Sequence, residues 1–281
     1  MTRLATLGPA AAICLAALGE PAAAQSNHTA VRDAIPLTIG ETFTLESRVL
    51  GETRRINVYL PPGYGDTVRL PVLYMPDGGI AEDFLHVAGL VQVSVGNGTM
   101  RPFILVGIEN TARRRDLTGP TRRAEDRRIA PVVGGSAAFR QFIGAELMPA
   151  IEARYRITEE SAIVGESLAG LFVVETFFLE PALFDTYIAF DPSLWWNGGE
   201  LVDLAEERMR TRTGGTLYLA SSDQADIASL TRRLADLVAA RAASGMTSHY
   251  EAMPQESHAT IYHPAALLAF RRLFRPQPRP E

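Results

Sequence analysis

The stretch Ser161-Ala162-Ile163-Val164-Gly165-Glu166-Ser167-Leu168-Ala169-Gly170 sets one hydroxyl among small residues, where a β-prone segment gives way to an apolar helical run over 171–179. A serine flanked by tiny residues two positions away on each side can occupy a sharp strand-to-helix turn with its Oγ clear of the backbone, as a nucleophile requires. Against the pattern G-x-S-x-G the fifth position is Ala169, with Gly170 one residue later, and alanine is still small enough for such a turn. The turn also puts Ser167 at a helix N-terminus, where unpaired N–H groups and the helix dipole favour an oxyanion. The competing reading is a glycine-bounded turn with an incidental serine.

A serine hydroxyl is a weak nucleophile at neutral pH and needs a general base, which in turn needs an acid to hold its tautomer. Of the five histidines, His28 lies near the N-terminus, His86 falls in a helical segment before the elbow and His249 opens a strand. His258 follows the last predicted strand and precedes the last helix, where the base of a Ser…Asp…His chain order belongs, and His263 is the runner-up. For the acid, Asp223 follows the penultimate strand; Asp226 and Glu256 are alternatives, a dyad without an acid is a further one, and Asp191, one strand earlier, occupies the less common location. The loop Pro76-Asp77-Gly78-Gly79 follows a buried strand, and Gly78 or Gly79 is placed to offer a second backbone donor to an oxyanion.

The elements that must carry these groups alternate. Segments 41–50 and 54–60 read as a β-hairpin, and 70–75, 103–108, 162–164, 186–190, 216–220 and 248–253 as further strands. Helical patterns cover 83–95, a segment from Ser136 in which Pro149 predicts a kink, 171–179, 230–243 and 264–274. This order predicts an α/β fold, a doubly wound and mostly parallel sheet with an N-terminal antiparallel hairpin. Both tryptophans, Trp195 and Trp196, sit in a loop after one of these strands, where α/β sheets bind ligands, and could wall an acyl or alcohol pocket. Residues 113–128 hold seven arginines against three carboxylates. This long connection reads either as a lid or anion-recognition loop or as a solvated loop tied by its own ion pairs.

A basic start at Arg3, an apolar stretch over 4–18 and Ala22-Ala23-Ala24 predict a secretory signal peptide over 1–24. An N-terminal extension over 25–40, one catalytic domain over 41–274 and a loose tail over 275–281 complete the expected organisation. Cys14, the one cysteine, falls inside the signal, so no disulfide framework, cysteine nucleophile or thiolate metal site is expected. A net charge of −5 argues against nucleic acid as a partner. No later run is long and apolar enough to span a bilayer, so no stable membrane insertion is expected. Neither a metal nor a cofactor is called for, and the sequence says nothing of oligomeric state.

Taken together, Tyr74-Met75-Pro76-Asp77-Gly78, Val106-Gly107-Ile108-Glu109-Asn110, Arg114-Arg115-Asp116-Leu117-Thr118, the elbow, Pro192-Ser193-Leu194-Trp195-Trp196 and Glu256-Ser257-His258 resemble the putative esterase family of α/β-hydrolases. That group includes esterase D-like enzymes and enterobactin-type siderophore esterases, and the resemblance runs from about residue 42 to 274. It implies the α/β-hydrolase fold, Ser167 as nucleophile, His258 as base, and Gly78 with Leu168 as the oxyanion region. Asp223 stands as the acid, and Trp195, Trp196 and Arg115 as substrate-binding candidates. The expected function is an exported, metal-independent serine esterase acting through an acyl-enzyme on a small or siderophore-like ester. The rivals are an acyltransferase of the mycolyltransferase type and a non-catalytic binding protein on a hydrolase scaffold.

Overall fold

In a computed structural model, which describes residues 35–210, 214–241 and 245–276, the chain forms eight strands in one sheet. These are β1 (Glu41–Ser47), β2 (Glu52–Tyr59), β3 (Leu70–Pro76), β4 (Ile104–Ile108), β5 (Ile157–Glu166), β6 (Thr186–Phe190), β7 (Gly215–Ser221) and β8 (Met246–Ala252). Their order across the sheet is β1-β2-β4-β3-β5-β6-β7-β8. The β1–β2 hairpin and the β2–β4 pair are antiparallel, and every pair from β4 to β8 is parallel. The signal peptide expected over 1–24 lies outside the described residues.

Parallel strands covered on both faces read as continuous apolar runs, because neither side of the pleat meets water. All seven residues of β3 are buried. Val72 and Tyr74 point into one core and Leu73 and Met75 into the other. β4 and β6 divide in the same way: Val106 and Tyr187 face the first core, Leu105 and Ile188 the second.

The helices are α1 (Phe84–Gly96), α2 (Arg113–Asp116), α3 (Ala124–Arg127), α4 (Ser136–Phe142), α5 (Met148–Arg154), α6 (Leu168–Leu179), α7 (Glu200–Asp203), α8 (Ala205–Met209), α9 (Ala225–Arg241) and α10 (Tyr262–Leu273). α4, α5, α6 and α9 close the first core, and α1 and α10 the second. Each fully buried phenylalanine, Phe172 and Phe177 of α6 among them, contributes roughly 1.5–3 kcal/mol of apolar transfer energy. α6 is buried nearly all round, as a helix laid across the middle of the sheet must be.

Three boundaries depart from the sequence reading. The kink expected at Pro149 takes the form of a π-helical turn over Ile143–Leu147, after which Pro149 sits in the first turn of α5, where its missing N–H costs no hydrogen bond. α9 begins five residues before the expected start, because its first turn is polar and leaves no mark on the apolar period. The long arginine-rich connection folds into the short helices α2 and α3. Among the described residues no helix is long and apolar enough to cross a membrane.

Candidate active site

Ser167 stands between β5 and α6 with φ 60° and ψ −118°, a conformation an L-residue adopts only under constraint. Three main-chain hydrogen bonds hold it there. Its N–H donates to Phe190 O at 3.0 Å, and its carbonyl accepts from Leu171 N at 2.9 Å and Ser193 N at 3.0 Å. At roughly 0.5–1.5 kcal/mol each, these bonds are of the size needed to offset a strain of about 1–3 kcal/mol. The small neighbours are there for packing. A Cβ at Gly165 would lie 2.7 Å from Ala169, and one at Gly170 would lie 3.0 Å from Phe190 O. Ala169 itself is fully buried and fits.

His258 sits on the loop between β8 and α10, with Nε2 3.1 Å from Ser167 Oγ. Its Nδ1 is 3.0 Å from Oδ2 of Asp191, which fixes the Nδ1–H tautomer and leaves Nε2 free to accept the serine proton. Asp191 directly follows β6, has φ 40° and is fully buried. It also accepts the Ser222 N–H and the Ser222 Oγ–H, each at 2.6 Å. Burial works against its ionisation, but these donors and the charge of His258 outweigh it and hold the carboxyl below its usual range. His258 is shifted up, chiefly by the Asp191 hydrogen bond; burial opposes this and the charge of Glu166 adds to it.

Asp223, expected as the acid, is not at the ring. β7 ends at Ser221, and the next two residues point opposite ways, so Ser222 turns in to Asp191 while Asp223 faces solvent. Asp223 acts through its main chain instead, its N–H donating to Glu256 O at 2.9 Å and pinning the loop that carries His258. The alternatives Asp226 and Glu256 make no side-chain bond to His258 either; the ring's carboxylate neighbours are Asp191 and Glu166.

The expected donor Gly78 is likewise displaced. Its N–H is given to Ile108 O at 3.0 Å, and it is glycine because a Cβ would lie 2.3 Å from the β4 backbone at Gly107 and Ile108. Gly79, the alternative, donates its N–H to Glu82 Oε2 at 2.7 Å. Leu168 opens α6, so its N–H has no intrahelical acceptor. Beside this loop Asp77, at φ 56°, takes both Nε and Nη2 of Arg113 at 2.7 Å.

Arg115 does not face the serine. It grips Glu52 of β2, at 2.7 Å through Nη2 and 3.1 Å through Nη1, and Asp116 at 2.6 Å. Trp196 is buried and donates its indole N–H to Gly119 O at 2.9 Å, an anchoring bond. It also lines a cavity of about 300 Å³ with Leu171, Leu201 and Leu204. Trp195, half-buried, packs against the core with its ring centroid 6.1 Å from that of Trp196. Sequence reasoning ranked Asp191 as the less common location for the acid and gave no individual role to Glu166 or Arg113. The signal for Asp191 was an aspartate at a strand end, a residue type that tolerates positive φ.

The mostly parallel sheet with its antiparallel hairpin and the serine elbow after β5 define an α/β-hydrolase. The chain belongs to the family described as Putative esterase, which matches residues 47–267. It is 32% identical over 177 residues to ferri-bacillibactin esterase BesA of Bacillus subtilis, covering 56% of this chain and 59% of that protein. It is 34% identical over 184 residues to the siderophore triacetylfusarinine C esterase of Aspergillus fumigatus, covering 58% and 59%. The chain thus spans about three-fifths of the length of these curated relatives. Among solved structures, an IroE-like serine hydrolase from Shewanella oneidensis superposes with a TM-score of 0.76 at 31% identity, over 84% of this chain and 80% of that one.

Proposed function

We propose that this protein is a serine carboxylic-ester hydrolase acting through an acyl-enzyme on a small, siderophore-like ester. The observation that carries the reading is the hydrogen-bonded line from Ser167 Oγ through His258 to buried Asp191. Ser167 attacks the ester carbonyl while His258 Nε2 takes its proton; the same proton then passes to the departing alkoxide. Water, deprotonated by His258, releases the acid and restores the serine. Asp191 keeps the ring oriented and stabilises the imidazolium. The Leu168 N–H is the elbow's donor to the oxyanion, a contribution of roughly 3 kcal/mol. The substrate class rests on relatives named as siderophore esterases, and export to the periplasm or medium on the signal-like residues 1–24.

The test is hydrolysis of a p-nitrophenyl ester series and of a catecholate trilactone by wild type, Ser167→Ala and His258→Ala. Turnover of both substrate types by wild type and loss by several orders of magnitude in both variants is expected. Activity that survives in Ser167→Ala contradicts the nucleophile. Transfer to an added alcohol outrunning hydrolysis would make the protein an acyltransferase.

A further inference from the structure

Glu166 immediately precedes the serine, and the reading above gives it no task. It is the last residue of β5 and, two positions after Val164, points to the same face of the sheet, the one covered by α1 and α10. There its Oε1 lies 3.3 Å from His258 Nε2, close to the 3.1 Å that separates Ser167 Oγ from that nitrogen. Two oxygens therefore compete for one ring nitrogen. The Glu166 side chain is only 16% exposed, and its Oε1 is buried without a hydrogen-bond donor of its own.

The surroundings offer this carboxyl little other support. Arg113 of α2 faces it but is engaged bidentately by Asp77. Asp83, just before α1, and Asp191, after β6, add negative charge from two further elements. From α10 comes the fully buried Tyr262 hydroxyl, which has no partner. His258 is the neighbour with which Glu166 can exchange a proton.

We propose that Glu166 is a positioning residue that shares the Nε2 proton of His258 and so sets the pH at which His258 becomes free to act as a base. When the two groups hold one proton between them, it lies either on the imidazolium facing a carboxylate or on a neutral carboxyl donating to Nε2. In both arrangements the Nε2 lone pair is occupied, and the Ser167 proton has nowhere to go. Loss of that one proton to solvent frees Nε2 while Asp191 keeps Nδ1–H in place. Burial pushes the Glu166 carboxyl up to about 8, in keeping with a proton retained at neutral pH. The pair titrates as a unit, so the acid limb belongs to both groups.

The inference rests on the Ser167–His258–Asp191 reading, and its test separates the two. The pH dependence of kcat/KM on p-nitrophenyl acetate is measured for wild type, Glu166→Gln and Glu166→Asp. Removing the carboxylate removes its support for the imidazolium, so the acid limb of Glu166→Gln should move to lower pH by about one to two units. Glu166→Asp keeps a carboxylate and should keep the limb on the alkaline side of the Gln variant. A parallel NMR titration of the His258 ring, in Ser167→Ala with and without Glu166→Gln, reads the same shift without turnover. A fall in kcat/KM by one factor at every pH, with an unmoved limb and ring titration, would reduce Glu166 to packing and overturn the inference. An inert wild type, or an active Ser167→Ala, would overturn the nucleophile assignment while the ring titration still judged Glu166.

Discussion

The seam at the C-terminal ends of β5, β6 and β7 and the arginine-rich connection over 113–128 both hold dense charge-assisted hydrogen bonds, but they use them in opposite ways. At the seam the bonds form one line, from Ser222 through Asp191 and His258 to the Ser167 hydroxyl, whose proton faces the ring nitrogen that can take it. In the connection four of the seven guanidinium groups are consumed within it or by its neighbours. Arg113 is tied to Asp77, Arg114 to Ile129 O, Arg115 to Glu52 and Asp116, and Arg127 to Thr121 O. Below it, fully buried Arg54 of β2 is paired with equally buried Asp116. Charge density alone does not make a reactive site; a hydroxyl held against a base does.

The contrast gives a graded set of outcomes. The largest should come from the seam. Asp191→Asn would leave the ring with the wrong tautomer and lower kcat by about 10⁴, whereas Asp223→Asn, whose main-chain bond survives, should stay within about twofold. Steady-state kinetics on one ester checks both. Next is the buried pair in the connection. Asp116→Asn takes the buried carboxylate from Arg54, which keeps Glu52 and Thr111, and should cost about 2–3 kcal/mol in denaturant unfolding, with no change in the pH dependence of kcat/KM. The smallest is Arg115→Ala, which removes the Glu52 pair and one of the two guanidinium partners of buried Asp116, and should cost about 1–2 kcal/mol by the same measurement.

Acid and base limbs of stability sharpen the picture. Asp191 is ionised more readily folded than unfolded, so its share of stability is whole above the ordinary aspartate range and lost only as pH falls through its lower folded value. The melting-temperature gap between wild type and Asp191→Asn should therefore narrow as pH falls below the ordinary aspartate range. His258 is shifted the other way, so its share is whole below about 6.5 and fades as pH rises through its higher folded value.

Periodicity made the sheet legible: the runs at 70–75, 103–108 and 186–190 match β3, β4 and β6 because strands buried on both faces have no polar positions to blur them. The glycines and small residues around Ser167, and a histidine between the last strand and last helix, were visible as types at fixed places in chain order. The acid was not, because which strand end supplies it depends on how far the His258 loop folds back. Both Asp191 and Asp223 follow strand ends, but Asp191 is buried at the ring and takes both Ser222 donors, whereas Asp223 faces solvent. Arg115 misled for the same reason: composition shows the guanidinium but not Glu52, which is 63 residues away in sequence.

The central claim is that Ser167 is activated through His258 by Asp191, and trapping of the nucleophile tests it most directly. The full chain is incubated with an alkyl fluorophosphonate and the modified peptide is located by mass spectrometry, in wild type, Asp191→Asn and Asp223→Asn. The account predicts one adduct, on Ser167, formed at the wild-type rate in Asp223→Asn and slower by about 10⁴ in Asp191→Asn. An adduct on another residue, or equal labelling rates in wild type and Asp191→Asn, would contradict it.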